Sequence, residues 1–91
     1  MGERRFKAND SVAAREVGEE LVLLDLEAGH FFVVKGTGPR VWDLLVQGSS
    51  SLEVVEVLAE RYKIDKEQAE RDLNSFLDQV IEKGFLVEDR G

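Results

Sequence analysis

The chain has 91 residues, of which 43% are hydrophobic and 34% charged, with a formal net charge of −7 at pH 7. That length supports one core but not a core plus a large internal cavity. The absence of cysteine excludes a disulfide framework, a thiol nucleophile and thiolate-based metal centres.

Residues 1–9 are expected to form a flexible tail, and residues 10–91 a single domain. Met1-Gly2-Glu3-Arg4-Arg5-Phe6 lacks the apolar segment of a secretory signal. Phe6 also stands where myristoylation needs Ser or Thr. No apolar run reaches the roughly 18 residues that cross a membrane, so the expected location is the cytoplasm. Val12 to Val17 is a weak strand with charge in its middle, closed by a tight connection at Gly18-Glu19. Leu21-Val22-Leu23-Leu24-Asp25-Leu26 is nearly continuous in apolar residues, the pattern of a central strand covered on both sides. Glu27-Ala28-Gly29 reads as a hairpin loop with glycine where a left-handed conformation is needed. His30 to Lys35 follows as a third strand, rich in aromatic and β-branched residues.

The period then becomes helical. Thr37 is the expected N-cap of a helix with Pro39 in its first turn and Gly48 at its end. Ser50-Ser51-Leu52-Glu53 is a capping box opening a second helix, whose apolar face is Leu52, Val55, Leu58, Ala59 and Tyr62. Asp65-Lys66-Glu67-Gln68 opens a third helix that runs to about Lys83, with Gly84 beyond it. Phe85-Leu86-Val87 is a short extended end, able to pack back or add a strand. The fold class is therefore α+β and winged-helix-like, a three-stranded antiparallel sheet followed by three helices.

Little in this order supports catalysis. His30 is the single histidine and cannot anchor a transition-metal site without further soft ligands. The helical carboxylates lie away from the apolar stripes, and Gly36-Thr37-Gly38-Pro39 lacks the lysine and spacing of a phosphate loop. No metal, cofactor or enzyme activity is expected. Nucleic acid is disfavoured too. The third helix carries Lys66, Arg71 and Lys83 against Asp65, Glu67, Glu70, Asp72, Asp78 and Glu82, and phosphate would be repelled.

The remaining feature is an edge. The first strand is blunted by Arg15 and Glu16, whereas Phe31 to Val34 has no charge or proline to discourage pairing. Two readings stay open: the extended C-terminal end covers this strand, or a guest peptide adds to it through main-chain hydrogen bonds. On the third helix Ala69, Leu73, Phe76 and Val80 define the core stripe. Leu77 and Ile81 widen it on one flank, bordered by Glu70 and Asn74, as either a groove wall or additional core.

Several segments carry a family resemblance: the hairpin around Asp25 and Gly29, Phe31-Phe32 leading to Thr37-Gly38, and Val41-Trp42-Asp43-Leu44-Leu45 closed by Gly48. Leu52, Val55 and Leu58 follow, and then Leu73, Phe76-Leu77, Val80 and Gly84-Phe85-Leu86. From Leu21 to Leu86 the chain resembles PqqD-like proteins, the RiPP recognition elements. The resemblance implies a non-enzymatic chaperone that captures the leader of a ribosomally made precursor peptide by β-strand addition. It would present that leader to a modifying enzyme, a radical-SAM protein or a leader peptidase, acting as a monomer or weak homodimer. Carried over by position, the peptide contacts would be Phe31, Phe32, Val33, Val34 and Lys35, with Glu70, Asn74, Leu77 and Ile81. Val34-Lys35 departs from the Leu-Asn common in that family. The alternatives are a winged-helix regulatory DNA-binding domain and a structural homodimerising subunit.

Overall fold

The computed structural model describes residues 3–89, so the expectations for residues 1, 2, 90 and 91 lie outside the described residues. Eight elements follow one another: β1 (Phe6–Ala8), β2 (Val12–Val17), β3 (Glu20–Asp25), β4 (His30–Val34), α1 (Gly38–Val46), α2 (Ser51–Tyr62), α3 (Lys66–Glu82) and β5 (Leu86–Glu88). The α+β order read from the sequence is present, with one short strand added at each end.

The antiparallel sheet β2-β3-β4 has β3 at its centre. Leu21, Leu23 and Asp25 point inward from β3, opposite Val34, Phe32 and His30 of β4. The β3–β4 hairpin is organised by Asp25. One of its carboxylate oxygens accepts hydrogen bonds from Ser11 Oγ at 3.0 Å and from the backbone N–H groups of Glu27 and Ala28 at 3.1 and 2.9 Å. The Ala28 N–H, then the Ser11 hydroxyl and the Glu27 N–H, hold this carboxyl below the usual aspartate range, against the opposing effect of its burial. Gly29 closes the turn at φ 77°, donating its N–H to the Asp25 carbonyl.

Each helix begins where the sequence indicates. Thr37 occupies the α1 N-cap but makes no side-chain cap. Ser50 and Glu53 form the expected capping box at α2. Asp65 caps α3 through Gln68 N–H at 2.8 Å, while the Gln68 side chain turns to Asp72. The buried face of α2 is Val54, Val55 and Leu58. Leu52 and Tyr62, expected on that face, are exposed, because burial of Val54 rotates the apolar stripe away from both.

The N-terminal expectation needs correction. Phe6, placed in a flexible tail by the sequence reading, is buried at 3% exposure in the same core as Leu23, Leu45, Leu73 and Phe85. β1 pairs antiparallel with β5, Phe6 opposite Glu88 and Ala8 opposite Leu86. Arg4 exchanges hydrogen bonds with Ser51, its N–H going to Ser51 Oγ while its carbonyl receives the Ser51 N–H. Arg4 also pairs with Glu88 at 3.2 Å, and Asn9 donates to the Phe85 and Gly84 carbonyls. A three-residue strand whose partner lies some 80 positions away leaves no local periodicity to read. The ordered fold thus begins before residue 10.

β3 differs from expectation on one face. Its inner side packs in the core, but Val22 and Leu24 on the other side are only half-buried, so the strand is covered on one side.

Candidate functional site

β4 pairs with β3 along one edge. Among the described residues no strand pairs with its other edge, because the extended C-terminal end joins β1 instead. Residues 85–87 therefore do not occupy that edge, and Phe85 meets β4 only on its core side, against Phe32 and His30. Main-chain groups along such an edge are available for a further strand.

The wall beside that edge is set by how α3 is rotated. Ala69, Leu73, Leu77 and Val80 face the core, each at most 2% exposed. Leu77 is therefore core, while Phe76, expected in the core stripe, is only half-buried at its margin. A Cβ added to Gly38, one residue into α1, would run into Val34 Cγ1 and lie 3.4 Å from Phe76 Cε1. Phe76 thus reaches the inward end of β4. Two turns further on, Lys83 Nζ sits 5.4 Å over the ring of Phe32. With about 100° between successive helical positions, Asp72, Phe76, Gln79 and Lys83 fall at i, i+4, i+7 and i+11, on one line. Two members of this line, Phe76 and Lys83, reach β4 at Val34 and Phe32.

The flank expected from the sequence lies on the other side of the helix. Glu70 and Asn74 line a cleft with Arg4, Ser51, Leu52, Val55 and Leu73, facing α2 rather than β4. Ile81 continues their line by helical spacing and is partly exposed. The structure therefore brings together Phe32 and Val34 with Phe76 and Lys83, and separates them from Glu70, Asn74 and Ile81. The reason is a near-tie in the sequence. Phe76 and Leu77 are adjacent large apolar residues, and choosing which one is central swings the helix by a residue. The sequence signal for the flank that faces β4 is the closing Lys83, an amphipathic side chain able to lie on an aromatic ring.

Along β4 the side chains alternate. Phe32 and Val34 point to the core side, and Phe32 stacks on Phe85 with centroids 6.2 Å apart. His30 lies 5.2 Å from the same ring and 3.8 Å from the Asp25 carboxylate. Phe31 and Val33 point to the opposite face, where Phe31 is 66% exposed. Lys35 follows and pairs with Glu20 at 3.6 Å. The site is thus an open strand edge with an aromatic floor, walled by a mixed polar and aromatic helix stripe. It offers main-chain hydrogen bonds and apolar pockets.

The family model described as coenzyme PQQ synthesis protein D (PqqD) matches residues 20–86, from the start of β3 to the start of β5. The chain belongs to the PqqD family. Two solved structures are similar to it. TbiB1 in complex with the TbiA(beta) leader peptide is 35% identical, with a TM-score of 0.83 over 88% of this chain and 93% of that one. A lasso peptide synthetase B1 complexed with its leader peptide is 23% identical, with a TM-score of 0.85 over 91% and 98%, which establishes the shared fold. No curated protein sequence matches. β1 precedes the segment that the PqqD family model covers, yet it completes the core on which that segment rests. Among the described residues no helix is long and apolar enough to cross a membrane.

Proposed function

We propose that this PqqD-family chain is a non-catalytic peptide-binding adaptor, which captures the leader of a ribosomally made precursor as a strand added to β4. The observation that carries the reading is the unpaired β4 edge, with Phe76 and Lys83 of α3 and its cap beside Val34 and Phe32. TbiB1, 35% identical over nearly its whole length, is held with a leader peptide, which supports the same class of guest here. Strand addition supplies affinity through main-chain hydrogen bonds, and the pockets between alternating side chains supply selectivity. The bound leader is then presented to a modifying enzyme, such as a radical-SAM protein or leader peptidase. The acidic solvent face of α3, with Glu67, Glu70, Asp78 and Glu82 exposed, suits a peptide partner better than a phosphate backbone.

The test is an NMR titration with the leader of a short precursor encoded beside this chain, combined with amide exchange. Shifts should concentrate in residues 30–35 and around Asp72, Phe76, Gln79 and Lys83. Exchange at those β4 amides that face the open edge should slow on binding. Affinity should change little with salt, unlike nucleic-acid binding. Shifts confined to the Glu70 and Asn74 cleft, or no slowing of any β4 amide, would sink the proposal.

A further inference from the structure

An antiparallel sheet with one solvated face ordinarily alternates apolar-in with polar-out. This sheet does not. Its inner residues Leu21, Leu23 and Val34 share a core with all three helices and with β1 and β5. The outer face carries two cross-strand rows: Ala13 beside Leu24 beside Phe31, and Arg15 beside Val22 beside Val33. Val17 and Leu26, 60% and 72% exposed, extend the apolar character past either end. None of these residues belongs to the core, and Ala13, Val22, Leu24 and Val33 keep part of their surface in solvent. A contiguous apolar face of this kind marks an interaction surface.

We infer that the outer face of β2-β3-β4 is the docking surface for the enzyme that acts on the bound peptide, and that the peptide itself completes that surface. The inference rests on the leader-binding reading above. A strand added to the β4 edge extends the sheet, so every second guest side chain emerges on the outer face, about 5 Å from Phe31 or Val33. The face is therefore continuous with the guest, and whatever docks on it touches both. Its charges specify the occupant further. Glu20 and Lys35 neutralise each other at its rim, whereas Arg15 is exposed with no ion pair among the described residues. In a chain of net charge −7, this face presents an uncompensated cation. The fitting partner offers an apolar surface with a carboxylate opposite Arg15. A second copy facing this one would set Arg15 within an apolar contact and leave no room for the guest's outward side chains to be read. Because docking and guest binding share one surface, each should strengthen the other by the same factor.

The experiment uses the intact chain, the leader peptide and the purified peptide-processing enzyme encoded beside it, with enzyme affinity measured with and without saturating leader. Wild type should bind the enzyme at least about ten-fold more tightly with leader than without. Leu24→Glu lies on β3, separated from the guest by β4. It should weaken enzyme binding by about ten-fold or more while changing leader affinity less than about two-fold. Arg15→Glu, at an exposed position where folding is not at risk, should weaken it in the same direction. Melting curves confirm that both variants are folded. Unchanged enzyme affinity in both variants, with leader binding intact, overturns the docking face alone. Absence of leader binding by wild type overturns both proposals. Sedimentation showing a wild-type dimer that Leu24→Glu dissolves assigns the face to a second copy and overturns the inference.

Discussion

Gly38→Ala probes the contact that joins β4, α1 and α3. Gly38 is buried at the first position of α1 and does not use positive φ, so alanine is acceptable to the backbone. Space is the difficulty. The added methyl meets Val34 Cγ1 directly and comes within 3.4 Å of Phe76 Cε1. Val34 is held in β4 opposite Leu21, which leaves it little freedom to retreat. Overpacking of this kind costs about 1–3 kcal/mol, partly offset by up to about 1 kcal/mol of helix propensity. A net loss of about 1–2 kcal/mol should lower the melting temperature by roughly 4–16 °C for a domain of this size. The assay is thermal and urea unfolding, followed by the fluorescence of the single tryptophan, Trp42, which is 3% exposed. The cause is isolated by repeating the substitution in a Val34→Ala background, where Cγ1 is gone. There Gly38→Ala should lose most of its effect, a coupling of about 1 kcal/mol or more. Equal drops in both backgrounds, or a Gly38→Ala variant as stable as wild type, would refute the argument.

Three further outcomes are expected. Phe6→Ala empties a site 3% exposed and should cost about 3–5 kcal/mol by urea unfolding; a loss below about 1 kcal/mol would return residues 3–8 to the status of a tail. Ser50→Ala removes one half of the α2 capping box and should cost about 1 kcal/mol, read as a drop of roughly 4–8 °C in melting temperature. The Asp25 carboxyl is held below its ordinary range in the folded chain, chiefly by the Ala28 N–H. Its contribution is therefore complete above the unfolded value of about 3.9 and fades as pH falls through the folded value. Asp25→Asn should flatten the acid limb of the stability curve below about pH 4, and an unchanged slope there would contradict the assignment.

The sequence by itself determined the order of the six central elements from β2 to α3, the hairpin at Asp25–Gly29 and the helix starts at Ser50 and Asp65. These are local: a capping hydroxyl reaches three residues, and a glycine turn spans four. It also marked β4 as an edge without a guard. Three matters were decided by tertiary structure alone. Pairing of β1 with β5 joins the two ends of the chain, which no local period encodes, and it is this pairing that leaves β4 open. The rotation of α3 depended on whether Phe76 or Leu77 sits deeper, and packing against the core put Leu77 inside, turning Phe76 and Lys83 toward the groove and Glu70 and Asn74 away from it. Finally, the apolar run from Leu21 to Leu26 recorded that both sides of β3 avoid water. Only the folded molecule shows that its own residues cover just one.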